Sequence, residues 1–283
     1  MYYGIVMVAV LMFSLQFLFN QQFEKECGSS LRASAVFSLG TNAAGTVILL
    51  LINGLQPIFT PFGLFMAVLV TVNSLLYTIC SMKALGKINL SVYSVFAMLG
   101  GMVLPFLAGI LFFEEALTLG KVICFITVGV SLFFTVEKGR GKGGFWYYAG
   151  VFVLNGMSGV LAKIYQAADF AKTGEAGYSV LCSLCATVIS LVFLFCVGGN
   201  RIKLTLKSGF QMLGYGALCK VGNFLLLIAL AHLPASAQYP LVTGGVMVFS
   251  VIISLFTPDK PKKKDIAAVV LSLAGIMALV LLP

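Results

Sequence analysis

Ten apolar stretches, each about as long as a bilayer is thick, follow one another with only short breaks between them. They cover roughly residues 2–20, 33–53, 62–84, 91–113, 119–136, 145–168, 176–198, 209–231, 235–256 and 265–282. A hydrocarbon core about 30 Å thick takes roughly 20 apolar residues as a helix. In lipid, helices or closed barrels are the structures that satisfy every backbone hydrogen bond. The pattern predicts an all-α integral membrane protein with ten transmembrane helices. The breaks carry turn chemistry and charge, as at Asn53-Gly54, Pro57, Pro61, Gly139 to Gly144, Gly198 to Arg201 and Pro258 to Lys264. Of 283 residues, 60% are hydrophobic and 10% charged. A soluble domain carries about 25% charged residues, and the ten spans leave no room for one.

The N-terminus, Met1-Tyr2-Tyr3-Gly4, lacks the basic region of a cleavable signal peptide, so the first span is expected to be retained. Six of the seven cysteines fall within apolar spans. Cys182-Ser-Leu-Cys185 has the spacing of a redox or zinc motif, but it sits mid-span with no second pair or His nearby, and reads as core.

Charge is distributed by side. Connections after odd-numbered spans hold Lys25, Arg32, Lys83, Lys87, Lys138, Arg140, Lys142, Arg201, Lys203, Lys207, Lys260, Lys262, Lys263 and Lys264, which is 14 of the 18 basic residues. Connections after even-numbered spans hold Lys121 and Lys172 alone. The positive-inside rule assigns the rich side to the cytoplasm and therefore both termini to the outside. The net charge of +9 is thus an orientation signal. A nucleic-acid footprint would need a solvated basic domain, so no nucleic-acid partner is expected.

The chain also divides in two: residues 1–138 and 145–283 hold five spans each, with 139–144 as a linker. Asn73-Ser-Leu-Leu, Ala84-Leu85, Ser91, Tyr93, Gly100-Gly101 and Leu111-Phe112 in the first half are echoed by Asn223-Phe-Leu-Leu, Ala229-Leu230, Ser236, Tyr239, Gly244-Gly245 and Leu255-Phe256 in the second. An odd number of spans per half inverts the second copy, the arrangement by which transporters place a site at the midplane between repeats.

Within this echo, Tyr77 to Val136 resembles the EamA-type half of the drug/metabolite transporter superfamily. The features are Tyr77, Ala84-Leu85, Ser91, Pro105, then Leu111-Phe-Phe-Glu114-Glu115-Ala-Leu117-Thr118, and Gly129. Ala229-Leu230, Leu233-Pro-Ala-Ser236, Gly244-Gly245 and Gly275 look like the paired copy. The resemblance implies a ten-helix carrier of two inverted five-helix repeats around a central cavity. Known members move amino acids, nucleotide sugars, sugar phosphates, choline or drugs. Two departures stand out. The second-half counterpart of Phe113-Glu114 is Thr257-Pro258-Asp259-Lys260-Pro261, and ten-helix members are expected to keep both termini in the cytoplasm.

Lys220 is the residue hardest to explain by packing. It lies near the centre of the 209–231 stretch, which holds no Asp or Glu. A charge at that depth is costly, and an intramembrane ionisable residue is a functional hypothesis by default. Three readings stay open: a cation that binds an anionic group of cargo, a titrating site, or a neutral amine held by neighbours. Asn223 follows one turn later on the same helical face. Asn73, Tyr77 and Asn155 are further buried polar candidates, and Gln238 and Tyr239 flank Pro240, where a broken turn can expose backbone to a cavity. The bland alternative for each is interhelical bonding. Lys163 is close enough to a span end to snorkel. Glu114 and Glu115 precede the fifth span, where a carboxylate suits a helix N-terminus, and His232 is expected to be solvated or bonded to a carbonyl.

With one His and no embedded carboxylate, no enzyme, cofactor or metal is expected, and a channel would need a ring of charges or a carbonyl filter. The function expected is a plasma-membrane secondary transporter for a small anionic or zwitterionic solute. The alternatives are an exporter of cationic drugs or amines, or a lipid flippase on the same fold. Partners are then the solute and membrane lipids. Oligomeric state stays open, with a homodimer among the options.

Overall fold

The computed structural model of the chain describes residues 1–28, 30–55, 59–85, 90–134, 145–198, 202–254 and 263–282. The proposed linker at 139–144 and the Thr257–Pro261 segment lie outside the described residues. Among the described residues ten helices follow in order: α1 Tyr2–Cys27, α2 Leu31–Ile52, α3 Pro61–Leu85, α4 Leu90–Phe112, α5 Leu119–Phe134, α6 Phe145–Ala167, α7 Glu175–Cys196, α8 Leu206–Leu230, α9 Ala235–Ser254 and α10 Lys263–Leu281. No strand occurs among the described residues. Among the described residues, seven helices contain a stretch long and apolar enough to cross a membrane: α1, α2, α3, α4, α7, α8 and α9. Leu119–Phe134 and Ile266–Leu281 are shorter apolar helices, and α6, which carries Asn155, Lys163 and Gln166, is not among the seven.

Helix ends follow local chemistry. Ser30 caps α2 by accepting from the Ala33 N–H at 3.2 Å. Past its other end, Gly54 and Leu55 take left-handed backbone (φ 65° and 59°) and donate to the Leu51 and Leu50 carbonyls, closing the helix. At the start of α8, Thr205 and Ser208 bond each other reciprocally, side chain to N–H at 2.9 and 3.1 Å.

Two compact units form, and each draws on both halves of the sequence. One comprises Met1–Val10, Val72–Ala168 and Ala229–Pro283; the other comprises Leu11–Thr71 and Asp169–Ile228. In the first, α4 and α6 run parallel along a glycine seam. A side chain at Gly100 would collide with the Phe152 carbonyl, and one at Gly156 with the Gly100 carbonyl. Backbone approach this close is how helices gain packing contact in lipid, where no hydrophobic force separates them from solvent. α5 packs along α10 through a buried Ser131–Ser272 bond of 2.8 Å.

In the second unit, α2 and α7 run antiparallel and are joined by hydroxyls. Ser38 bonds Ser190 at 2.9 Å, Asn42 Nδ2 donates to Ser190 at 2.9 Å, and Thr46 bonds Ser183 and Thr187 at 2.8 and 3.0 Å. α2 and α8 run parallel, with Thr41 on Gly216 and Gly45 on Lys220.

Candidate functional site

The seven residues singled out in the sequence fall in separate units. Lys220 and Asn223 belong to the α2–α7–α8 unit, whereas Asn73, Tyr77, Asn155, Gln238 and Tyr239 belong to the α4–α6–α9 unit. Lys220 is half-buried in the middle of α8. Its stem lies over Gly45 of α2, where a Cβ would collide with Lys220 Cγ and come within 3.1 Å of its Cβ. The thiols of Cys219 and Cys182 lie within electrostatic reach. Among the described residues, no hydrogen bond or ion pair engages the Lys220 ammonium. Asn223 is exposed, and its amide turns back on its own helix, donating to the Cys219 carbonyl at 2.7 Å. Sharing a face therefore does not make Asn223 the partner of Lys220.

Three of the other candidates are committed to helix–helix bonds. Asn73 Nδ2 donates to the Leu154 carbonyl and to Ser158 Oγ, both at 2.9 Å, tying α3 to α6. Asn155 Nδ2 donates to the Ala97 carbonyl at 2.6 Å, tying α6 to α4. Tyr239 donates its hydroxyl to the Gly159 carbonyl at 3.1 Å. Gln238 is 1% exposed, and Tyr77 is half-buried.

Sequence reasoning missed a charged cluster in the α4–α6–α9 unit. After α4, Glu114 takes a left-handed conformation (φ 52°), which is uncommon outside glycine. The chain thereby doubles back, and the Glu115 N–H donates to the Gly109 carbonyl at 3.0 Å. The Glu115 carboxylate lies against Gly109, where a Cβ would come within 2.5 Å of Oε2. It caps α9 from outside that helix: Ala235 N–H donates to Oε1 at 2.7 Å, and Ser236 donates its N–H and hydroxyl to Oε2 at 2.8 and 2.6 Å. The Lys163 ammonium approaches Oε1 at 2.7 Å and lies 5.6 Å from the centre of the Phe113 ring. Lys163 is thus ion-paired instead of snorkelling. Burial raises the Glu115 pKa, but Lys163 and the bonds from Ser236 and Ala235 outweigh it, and the carboxyl lies below its ordinary value of 4.5. The one His, His232, is exposed and stacks on Tyr2 at 4.0 Å.

A signal for the α2–α7 seam was present in the sequence: Ser38, Asn42 and Thr46 recur every fourth residue, as helix neighbours do. No comparable signal pairs Glu115, in the connection between α4 and α5, with Lys163 on α6.

No family model and no curated protein matches the chain. A solved structure described only as a crystal structure of a protein is similar to it with a TM-score of 0.74, covering 99% of this chain and 96% of its own at 13% identity. At that identity the likeness speaks for the fold alone.

Proposed function

We propose that the chain is a multi-pass membrane carrier, a secondary transporter of a small anionic or zwitterionic solute, working by alternating access between two inverted five-helix repeats. The observation that carries this reading is Lys220, a lysine in mid-helix that no described residue engages by hydrogen bond or ion pair. A lysine in an apolar helix without a counter-charge from the protein suits a substrate that brings one.

The repeat is supported by how contacts pair. The first helix of each half meets the fourth of the other: α6 on α4 at Gly100-Gly101, and α1 on α9 where Val10 packs on Gly245. The first also meets the third of the other, as Asn73 bonds Leu154 and Phe13 packs on Gly222. The second meets the third, with Gly45 on Lys220 and Gly63 on Leu181. Second meets second in α2–α7, and fifth meets fifth in α5–α10. Exchange of the two halves preserves this set. The helix order accords with the EamA-type resemblance; the orientation, ten spans in a plasma membrane with both termini outside, departs from it and rests on the Lys/Arg bias.

Counterflow of labelled solutes in liposomes tests the function, with anionic, zwitterionic and cationic metabolites in parallel. A carrier shows trans-stimulation for one class, and Lys220→Ala loses it while still inserting. Wild-type exchange by Lys220→Ala would remove the site assignment, and flux without trans-stimulation would favour a channel. Labelling of Cys27 in intact cells by an impermeant thiol reagent would overturn the orientation.

A further inference from the structure

The cluster at Glu115 holds more positive charge than its carboxylate answers. Lys121, in the first turn of α5, is 8% exposed and donates to the Ala116 carbonyl at 2.5 Å, one residue from Glu115. Lys163 is 14% exposed and bonds Glu115. The two Glu115 oxygens accept from Ala235 N–H, Ser236 N–H, Ser236 Oγ and Lys163 Nζ. Those four donors match the capacity of a carboxylate, so Lys121 gains electrostatic attraction from Glu115 but no hydrogen bond. Lys121 and Lys163 also repel each other. Glu114 is exposed, and its charge is screened by solvent. The first N–H groups of α9 add a partial positive charge beside the pair.

Two ammoniums therefore share one saturated carboxylate in a largely buried setting, and two of the three Lys121 protons are uncommitted among the described residues. Buried charge is stable only when paired and hydrogen-bonded. The ends of α4 and α6 and the starts of α5 and α9 meet here. In a membrane-spanning chain, that end of the unit is the level at which lipid phosphates lie.

We propose that Lys121 and Lys163 form a binding site for a small oxyanion, a phosphate group, beside the Glu115 cap. The phosphate can come from a dissolved ion or from a phospholipid headgroup. The site is separate from Lys220 and does not depend on the transport reading.

Thermal unfolding of the full chain in a nonionic detergent tests it. The arms are sodium phosphate against sodium chloride at equal ionic strength, and micelles doped with phosphatidylglycerol against phosphatidylcholine. A saturable rise in Tm of several degrees with phosphate assigns a dissolved anion; a rise with phosphatidylglycerol alone assigns a headgroup. Lys121→Gln should lose the rise, and Lys25→Gln, at an exposed lysine on α1, should keep it. No saturable rise with either probe, or an unchanged rise in Lys121→Gln, overturns the proposal. If Lys121→Gln does not fold, Lys121→Arg keeps the charge and should keep the rise; its loss there counts against the site.

Discussion

Lys163 and Lys220 are both lysines in apolar helices, and the fold treats them in opposite ways. Lys163 meets a carboxylate at 2.7 Å that also caps α9. Lys220 meets glycine backbone, two thiols within electrostatic reach and no hydrogen-bond partner among the described residues. The first charge is answered by a carboxylate of its own unit. The second is left available for chemistry, so depth alone is a poor guide to function and the missing counter-charge is the better one.

The widest expected contrast is in transport. Lys220→Ala should abolish counterflow in inserted protein, whereas Lys163→Met with Glu115→Gln should retain it; equal losses in both would dissolve the distinction. Next comes stability. Removing one member of the pair, by Lys163→Ala or Glu115→Ala, should cost about 3–5 kcal/mol because a buried charge is left unpaired. The double variant Glu115→Gln/Lys163→Met should recover part of that loss, as coupled residues do. Chemical unfolding in detergent measures all three.

The Glu115 pKa is lowered in the folded chain, so its contribution is present above its ordinary value of 4.5 and is lost as pH falls below that through the folded value. Wild type should lose stability in that acid window, and Glu115→Gln should lose less there. Crowding comes next: Gly109→Ala should displace the carboxylate and Gly45→Ala the Lys220 stem, each at about 1–3 kcal/mol. Stability measurements on both, with counterflow on Gly45→Ala, tell whether the Lys220 position matters to transport beyond packing. The smallest effect belongs to the hydroxyl seam. Thr46→Val should cost about 0.6 kcal/mol, the usual value for an interhelical bond in lipid.

Helix positions were legible because apolar length and turn residues are local properties. The run at 33–53 became Leu31–Ile52, and that at 145–168 became Phe145–Ala167. Polar partners were not legible, because each is chosen by a helix distant in sequence. Asn73 and Asn155 were candidates for a cavity wall, and both bond a neighbouring backbone. Glu115 was read as favouring the start of the helix that follows it; its carboxylate instead reaches α9. That reach depends on a left-handed Glu114 and a bare Gly109, which no periodicity encodes. Lys220 drew notice for the opposite reason: its cost is visible from its own helix alone.

The cap on α9 also has an order in time. Glu115 and Lys163 both precede Ala235 in the chain, and synthesis proceeds from the N-terminus. The acceptor for the first N–H groups of α9 is therefore made before the helix that needs it. Nascent chains stopped short of residue 235 still hold both members of the ion pair, and a chain extended past Ser236 adds three donors to that carboxylate at once. The start of α9 thus meets a seat whose residues are already synthesised, and errors at Glu115 should surface as late failures of assembly.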